Sequence, residues 1–403
     1  MKAVPADDLR ARQRRRVIRN IRRSIVNALL RLATRTGGKP GNAIRVSARG
    51  LERTLKRAER AVAPRRPEAP VIAGGWDPAA AEHEHATLLS AVVHRLVPVD
   101  QPLVLMTQAP RSGGTLLMRL FDGHPACHAI PHELSTLLPT SLPLPREADR
   151  AWKVLQNPML EAWFVGGLRA GKGQLSGDST RYRFLLPPLL QRRVFDHVLG
   201  EREPGSDRDV LDAYLTSYFN AWLDYRPGPA PRWVTGFEPS GILQPDRLRC
   251  FRELYPDGRL VSVVRDPAGW AVSAARRNAR YADRRVAIAT WREAVETALR
   301  LHGERPDEVA IVPFEVLVGD TERAMKAVAE FLAIEFTDDL LAPTFNGRAT
   351  KANSSFPVEA AGVIEGPLSR SGQLPVEDRA EIERELGELH ARALGAALVR
   401  PCR

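Results

Sequence analysis

Four short apolar runs, Leu103–Thr107, Trp233–Phe237, Leu260–Val264 and Val309–Pro313, stand out along the chain. Each is nearly free of polar side chains, the pattern of a strand buried on both faces of a parallel sheet. Turns and helical spacing follow them, most clearly at Thr115–Asp122, Gly269–Arg280 and Thr321–Leu332. Strand alternating with helix predicts an α/β domain, and ligands of such sheets bind beyond the carboxyl ends of the strands. The residues that follow these runs are therefore the first place to look for chemistry.

The start of the chain is patterned differently. Between Leu9 and Leu32, Val17, Ile18, Ile21, Ile25, Leu29 and Leu32 recur at three- and four-residue steps, with arginines between them. That spacing predicts a basic amphipathic helix. A second basic helical stretch, roughly Arg45–Val62, follows, and the Pro/Ala-rich segment Ala63–Ala80 with its Gly-Gly pair reads as a linker. The organisation expected is thus a basic helical extension over 1–62, a linker over 63–80 and a catalytic body over 81–403.

Charge sharpens this division. The whole chain carries +11, yet residues 1–66 hold 20 Lys+Arg against Asp7, Asp8, Glu52 and Glu59, a local +16 that leaves −5 on the remainder. The body is therefore not a basic nucleic-acid-binding domain, whatever the whole-chain charge suggests. The extension suits an anionic membrane surface, or docking and self-association through its apolar stripe. No run is long and apolar enough to span a bilayer, and the start lacks the apolar core of a secretory signal. Three scattered cysteines, Cys127, Cys250 and Cys402, form no framework and no CxxC pair. The expectation is a cytoplasmic protein, peripheral to the inner face of the membrane if the extension binds lipid. His83 and His85 stand two apart, diverge on a helix and suggest a surface rather than a metal site.

Two loops carry the candidate chemistry. After the first run comes QAPRSGGTLLMRLFDGHP, in which Gly113 and Gly114 let the backbone approach an anion, and the N–H groups from Ser112 to Leu116 face it. The Gly-Lys-Ser/Thr of nucleoside triphosphatases is missing, and the cation, Arg111, precedes the glycines. After the third run, Arg265 leaves the strand, Asp266-Pro267 turns the chain into a helix, and Ser273 follows eight positions after the arginine. A forked guanidinium and a hydroxyl so placed can reach one phosphate. A local Arg265–Asp266 ion pair beside a small packing serine is the alternative.

APRSGGTLL, VVRDPAGWAVSAARR and VPFEVLVGDTERAMKAVAEFLAIEF resemble, in order and separation, the motifs of donor-dependent sulfotransferases, especially bacterial and Golgi-type families, over roughly residues 100–360. The resemblance implies a P-loop-type three-layer α/β/α fold with a central, mostly parallel sheet. It implies transfer of a sulfuryl group from 3′-phosphoadenosine 5′-phosphosulfate (PAPS), with no metal required. Arg111, Ser112, Gly113, Gly114, Thr115 and Leu116 would hold the 5′-phosphosulfate, and Arg265 and Ser273 the 3′-phosphate. Lys351, Ser354 and Ser355 in TKANSSF would lie in a loop closing over the donor, and Glu315 would serve structure.

There are departures. Gly113-Gly114-Thr115 stands where the family has Gly-Thr-Thr, so one hydroxyl is missing, and Glu238 stands where many relatives carry a lysine that assists the leaving group. Arg111, Lys351 or Arg181 would then stabilise the transition state. The base that receives the acceptor proton is expected in HPACHAIPHELSTLLP: Glu133 ahead of His132, with His124 and His128 closer to the turn. Two readings compete with a sulfotransferase: a P-loop kinase or nucleotide hydrolase, and a non-catalytic nucleotide-binding relative held at a membrane. The acceptor is open between carbohydrate, glycolipid and small metabolite, its pocket expected from Pro139–Tyr225 and Ala360–Gln373.

Overall fold

A computed structural model describes residues 78–134, 137–169, 181–201, 204–350, 362–363 and 366–400. The chain divides into two units between Ala81 and Glu82, and the second, Glu82–Arg403, carries the sheet. The basic extension falls outside the described residues.

The central sheet has five strands: β1 (Leu103–Met106), β2 (Cys127–Glu133), β3 (Trp233–Phe237), β4 (Arg259–Val264) and β5 (Val309–Pro313). All pair in parallel, in the order β2-β3-β1-β4-β5. The helices are α1 (Pro78–His94), α2 (Gly114–Leu120), α3 (Ala148–Leu155), α4 (Leu160–Gly166), α5 (Pro188–Glu201), α6 (Asp207–Ala221), α7 (Pro245–Leu254), α8 (Pro267–Arg277), α9 (Arg284–Glu304), α10 (Phe314–Gly319), α11 (Thr321–Phe331) and α12 (Val376–Gly395). The α/β three-layer arrangement expected from the sequence is present, and the central sheet is wholly parallel.

Strand alternation builds the layers. Leu103 and Leu105 of β1 pack with Val234, Leu260 and Val309 against Phe195 of α5 and Leu211 and Leu215 of α6. Their neighbours Val104 and Met106 face the other way, joining Val261, Val263 and Val312 against Leu117 of α2 and Met325 and Val328 of α11. Successive side chains of a strand point to opposite faces, so a run with no polar break is what two helical layers require. Val264 and Ile311 pack on Trp270, Trp291 and Ile382 of α8, α9 and α12.

The apolar runs identify four of the five strands. β2 escapes them because its core, CHAIPHE, carries two histidines and a proline. It lies at the edge of the sheet, where Pro131 removes no essential ladder donor. Its pairing with β3 slips between Ala129↔Thr235 and Glu133↔Phe237. Such an irregularity bends a strand and re-aims its last side chains, and here those are His132 and Glu133. Among the described residues no helix is long and apolar enough to cross a membrane.

Candidate active site

The parallel order brings the loop after β1 and the loop after β4 side by side, because β1 and β4 are neighbours. The first loop is tightly wound. Arg111 has φ 79° and Gly113 φ 104°, both in the left-handed region. That conformation is natural for glycine and mildly strained for arginine. Alternating left-handed residues turn successive N–H groups toward one concavity, an arrangement suited to anions. Ser112 is buried, and its Oγ has no hydrogen-bond partner among the described residues.

Two aromatic side chains, Trp270 and Phe314, join this loop to the second one, and a third, Trp291, anchors the second. The Trp270 indole donates to the Pro110 carbonyl at 2.7 Å, and the Trp291 indole donates to the Arg265 carbonyl at 3.0 Å. The Phe314 ring lies beneath both loops: the Arg265 guanidinium carbon is 4.4 Å from its centroid, and a Cβ on Gly113 would fall 2.5 Å from its edge. Gly113 is thus required twice, by its φ and by Phe314. Gly114 is required by packing alone, since a Cβ there would sit 2.0 Å from Gln108 Nε2 and 2.3 Å from Phe237 Cε2. Gly114→Ala is expected to lower stability by about 1–3 kcal/mol, the usual cost of overpacking, read as a fall in Tm.

In the second loop Asp266 caps α8 by accepting from the Gly269 N–H at 2.6 Å, with Pro267 in the first turn as its sequence suggests. Glu315, half-buried, accepts from the Asp266 N–H at 3.0 Å. The cap aims Ser273 back toward the strand end. Arg265 Nη1 donates to Ser273 Oγ at 3.0 Å and to the Arg111 carbonyl at 3.3 Å. The eight-residue spacing thus brings guanidinium and hydroxyl into contact.

A third arginine, Arg370 in the 3₁₀ helix Gly366–Gln373, donates from Nη1 to the same Ser273 Oγ at 2.7 Å. Sequence reasoning missed it: a lone arginine in a polar, glycine-bearing segment gives no signal until the fold returns it to α8. The cluster is short of negative charge. Burial holds the Arg265 guanidinium down at about 10 against the pull of Glu315 and Asp266, and Arg111 adds to the depression. Burial, then the nearby cations Arg265, Arg111 and Arg276, holds Arg370 down at about 9. Burial and Arg277 likewise lower Arg111, while the Glu133 carboxylate pulls it upward. Desolvated like charges relieved by a bound anion are the pattern of a recognition site.

The base candidates separate at the end of β2. His132 is buried, its ring 4.8 Å from that of Trp163 and 5.7 Å from that of Tyr218, and its Nδ1 donates to the Glu133 carbonyl at 3.0 Å. Glu133, the next residue, is half-buried and close enough to act on Arg111. The other histidines serve structure. His124 Nε2 donates to the Glu335 carbonyl, and its Nδ1 accepts from the Ala126 N–H. His128 contacts the Tyr225 hydroxyl, and burial pushes its pKa down to about 4.

Glu238 is buried, and its carboxylate lies 3.7 Å from Arg247 Nη1, which also donates to the Leu138 carbonyl. Lys351, Ser354 and Ser355 lie outside the described residues, as does the Arg181 side chain. Among the described residues no group of three or more His, Cys, Asp or Glu could hold a metal ion.

The model of the sulfotransferase family matches residues 102–338, more than half the chain. The structure is similar to the sulfotransferase domain of the olefin synthase of Synechococcus PCC 7002, at 18% identity and a TM-score of 0.47, over 71% of this chain and 95% of that one. It is also similar to the sulfotransferase domain of the curacin biosynthetic pathway, at 17% identity and a TM-score of 0.41, over 72% and 99%. A third likeness, to sulfotransferase STF9 of Mycobacterium avium, has 17% identity and a TM-score of 0.37, over 90% and 96%. Among curated proteins there is no match.

Proposed function

Since the chain belongs to the sulfotransferase family, we propose that it transfers a sulfuryl group from PAPS to a hydroxyl or amine of an acceptor. One observation carries the reading most of all: Arg265 and Arg370 converge on Ser273 Oγ, one loop away from the wound turn at Ser112–Gly114. Two anion sites joined through Phe314 match a nucleotide with phosphate at both ends. Arg265, Arg370 and Ser273 would hold the 3′-phosphate, and Arg111, Ser112, the glycines, Thr115 and Leu116 the 5′-phosphosulfate.

The chemistry asked of the protein is modest. The acceptor oxygen attacks sulfur as the bond from sulfur to the 5′-phosphate oxygen breaks, adenosine 3′,5′-bisphosphate leaves with that electron pair, and the acceptor proton passes to a base. By analogy with phosphoryl transfer through a loose transition state, positioning and charge stabilisation supply most of the catalysis. Arg111 and the loop N–H groups face the charge that develops on the leaving oxygen. Glu133 is the favoured base because its charge reaches Arg111, whereas the His132 ring is turned into the aromatic layer.

The Glu238–Arg247 pair favours a second reading, a protein that binds the nucleotide without turnover, since a carboxylate held by its own arginine does not replace a leaving-group lysine. Calorimetric titration of the full chain with adenosine 3′,5′-bisphosphate, free of magnesium, tests both. Micromolar binding with weak ATP binding is expected. Tighter binding of magnesium-ATP would remove the sulfotransferase reading, and bisphosphate binding with no turnover over a broad acceptor set would leave the second.

A further inference from the structure

We propose that Gln108 is a ligand of the 5′-phosphosulfate end of the donor, a role that rests on the sulfotransferase reading above. Gln108 follows β1 and is 1% exposed. Among the described residues neither its Nε2 nor its Oε1 has a hydrogen-bond partner. A buried carboxamide left so is destabilising and uncommon in folded proteins. Its position explains the expense. Nε2 lies 2.0 Å, and the amide carbon 2.8 Å, from where a Cβ of residue 114 would stand, with Phe237 Cε2 closing the same space at 2.3 Å.

The Gln108 amide therefore fills the volume that a side chain at position 114 would take, inside the loop that also holds the unpartnered hydroxyl of Ser112. Two buried polar side chains without partners, in one turn that also bears Arg111, face a common need for an anionic ligand. The carboxamide offers two N–H donors where Gly114 offers no side chain at all. A neutral donor there strengthens as charge grows on the leaving oxygen and adds no cation to a region already crowded with arginines. The missing hydroxyl of the Gly113-Gly114-Thr115 turn is thus replaced from the strand side.

The test compares two nucleotides. Adenosine 3′,5′-bisphosphate reads both anion sites, whereas adenosine 3′-monophosphate reads only the 3′ site, so the ratio of their dissociation constants isolates the 5′ end. Gln108→Met keeps the volume and removes both donors. It is expected to shrink the ratio about tenfold, the worth of one or two charge-assisted hydrogen bonds, while adenosine 3′-monophosphate binds as in the wild type. Gln108→Glu, which sets a carboxylate against the phosphate, should shrink it further. An unchanged ratio in both variants, or equal weakening of both nucleotides, would overturn the proposal and leave Gln108 as packing. Failure of the wild type to bind the bisphosphate at all would remove the sulfotransferase reading itself, an outcome distinct from an unchanged ratio.

Discussion

Arg265→Ala is expected to weaken binding of adenosine 3′,5′-bisphosphate by about a hundredfold or more, in keeping with the roughly 2–5 kcal/mol measured when one partner of a buried charged contact is truncated. Arg265→Lys should recover only part of this, because an ammonium cannot make the forked contact. Adenosine 5′-monophosphate, which lacks the 3′ group, should bind both variants nearly as it binds the wild type. An equal loss for both nucleotides would mean that Arg265 supports the loops rather than the 3′-phosphate.

The same arginines set a pH dependence. Arg265 and Arg370 titrate in the folded protein at about 10 and about 9, below their ordinary value. The protonated forms bind the anion, so bisphosphate affinity should hold through neutrality and fall as pH rises above about 9. Ligand-free stability should move the other way. A folded pKa below the unfolded one means that the unfolded chain binds more protons in that range, so stability rises as pH climbs past about 9. Calorimetry of ligand binding and of unfolding, run over one pH series, checks both signs.

Glu133→Gln is expected to reduce kcat by about 10²–10⁴, the usual contribution of a general base, with bisphosphate affinity kept within a few-fold. The measurement is release of bisphosphate from PAPS with whichever alcohol of a phenol, sugar and lipid series the wild type turns over. A larger loss in His132→Gln than in Glu133→Gln would reassign the base to the buried ring. Unchanged kcat in both would place the proton acceptor elsewhere.

The strands of the sheet core were legible because a parallel strand covered on both faces must be apolar throughout, and Val104, Val261 and Val312 obey that demand. The local geometry of both candidate anion loops was legible because glycine, proline, arginine and serine act through the backbone over a few residues. β2 was not, since an edge strand with a slipped register tolerates Pro131 and two histidines. Arg370, Phe314 and Gln108 were missed for another reason. Their parts depend on contacts across the fold, from Arg370 to Ser273, from Phe314 to both loops, and from Gln108 to the space beside Gly114. No local pattern encodes such meetings.

Every described residue proposed to touch the donor lies before β2 or after the start of β3. Between Glu133 and Trp233 the chain makes α3 to α6 and the short pair Leu168–Arg169 with Arg181–Tyr182. It leaves the sheet at β2 and returns at the adjacent β3. The larger of the two segments expected to face the acceptor, Pro139–Tyr225, is thus one uninterrupted stretch, entered and left at neighbouring strand ends. A single recombination event could exchange that larger part of the acceptor side, so descendants of this fold can change much of what they accept without relearning how to hold the donor.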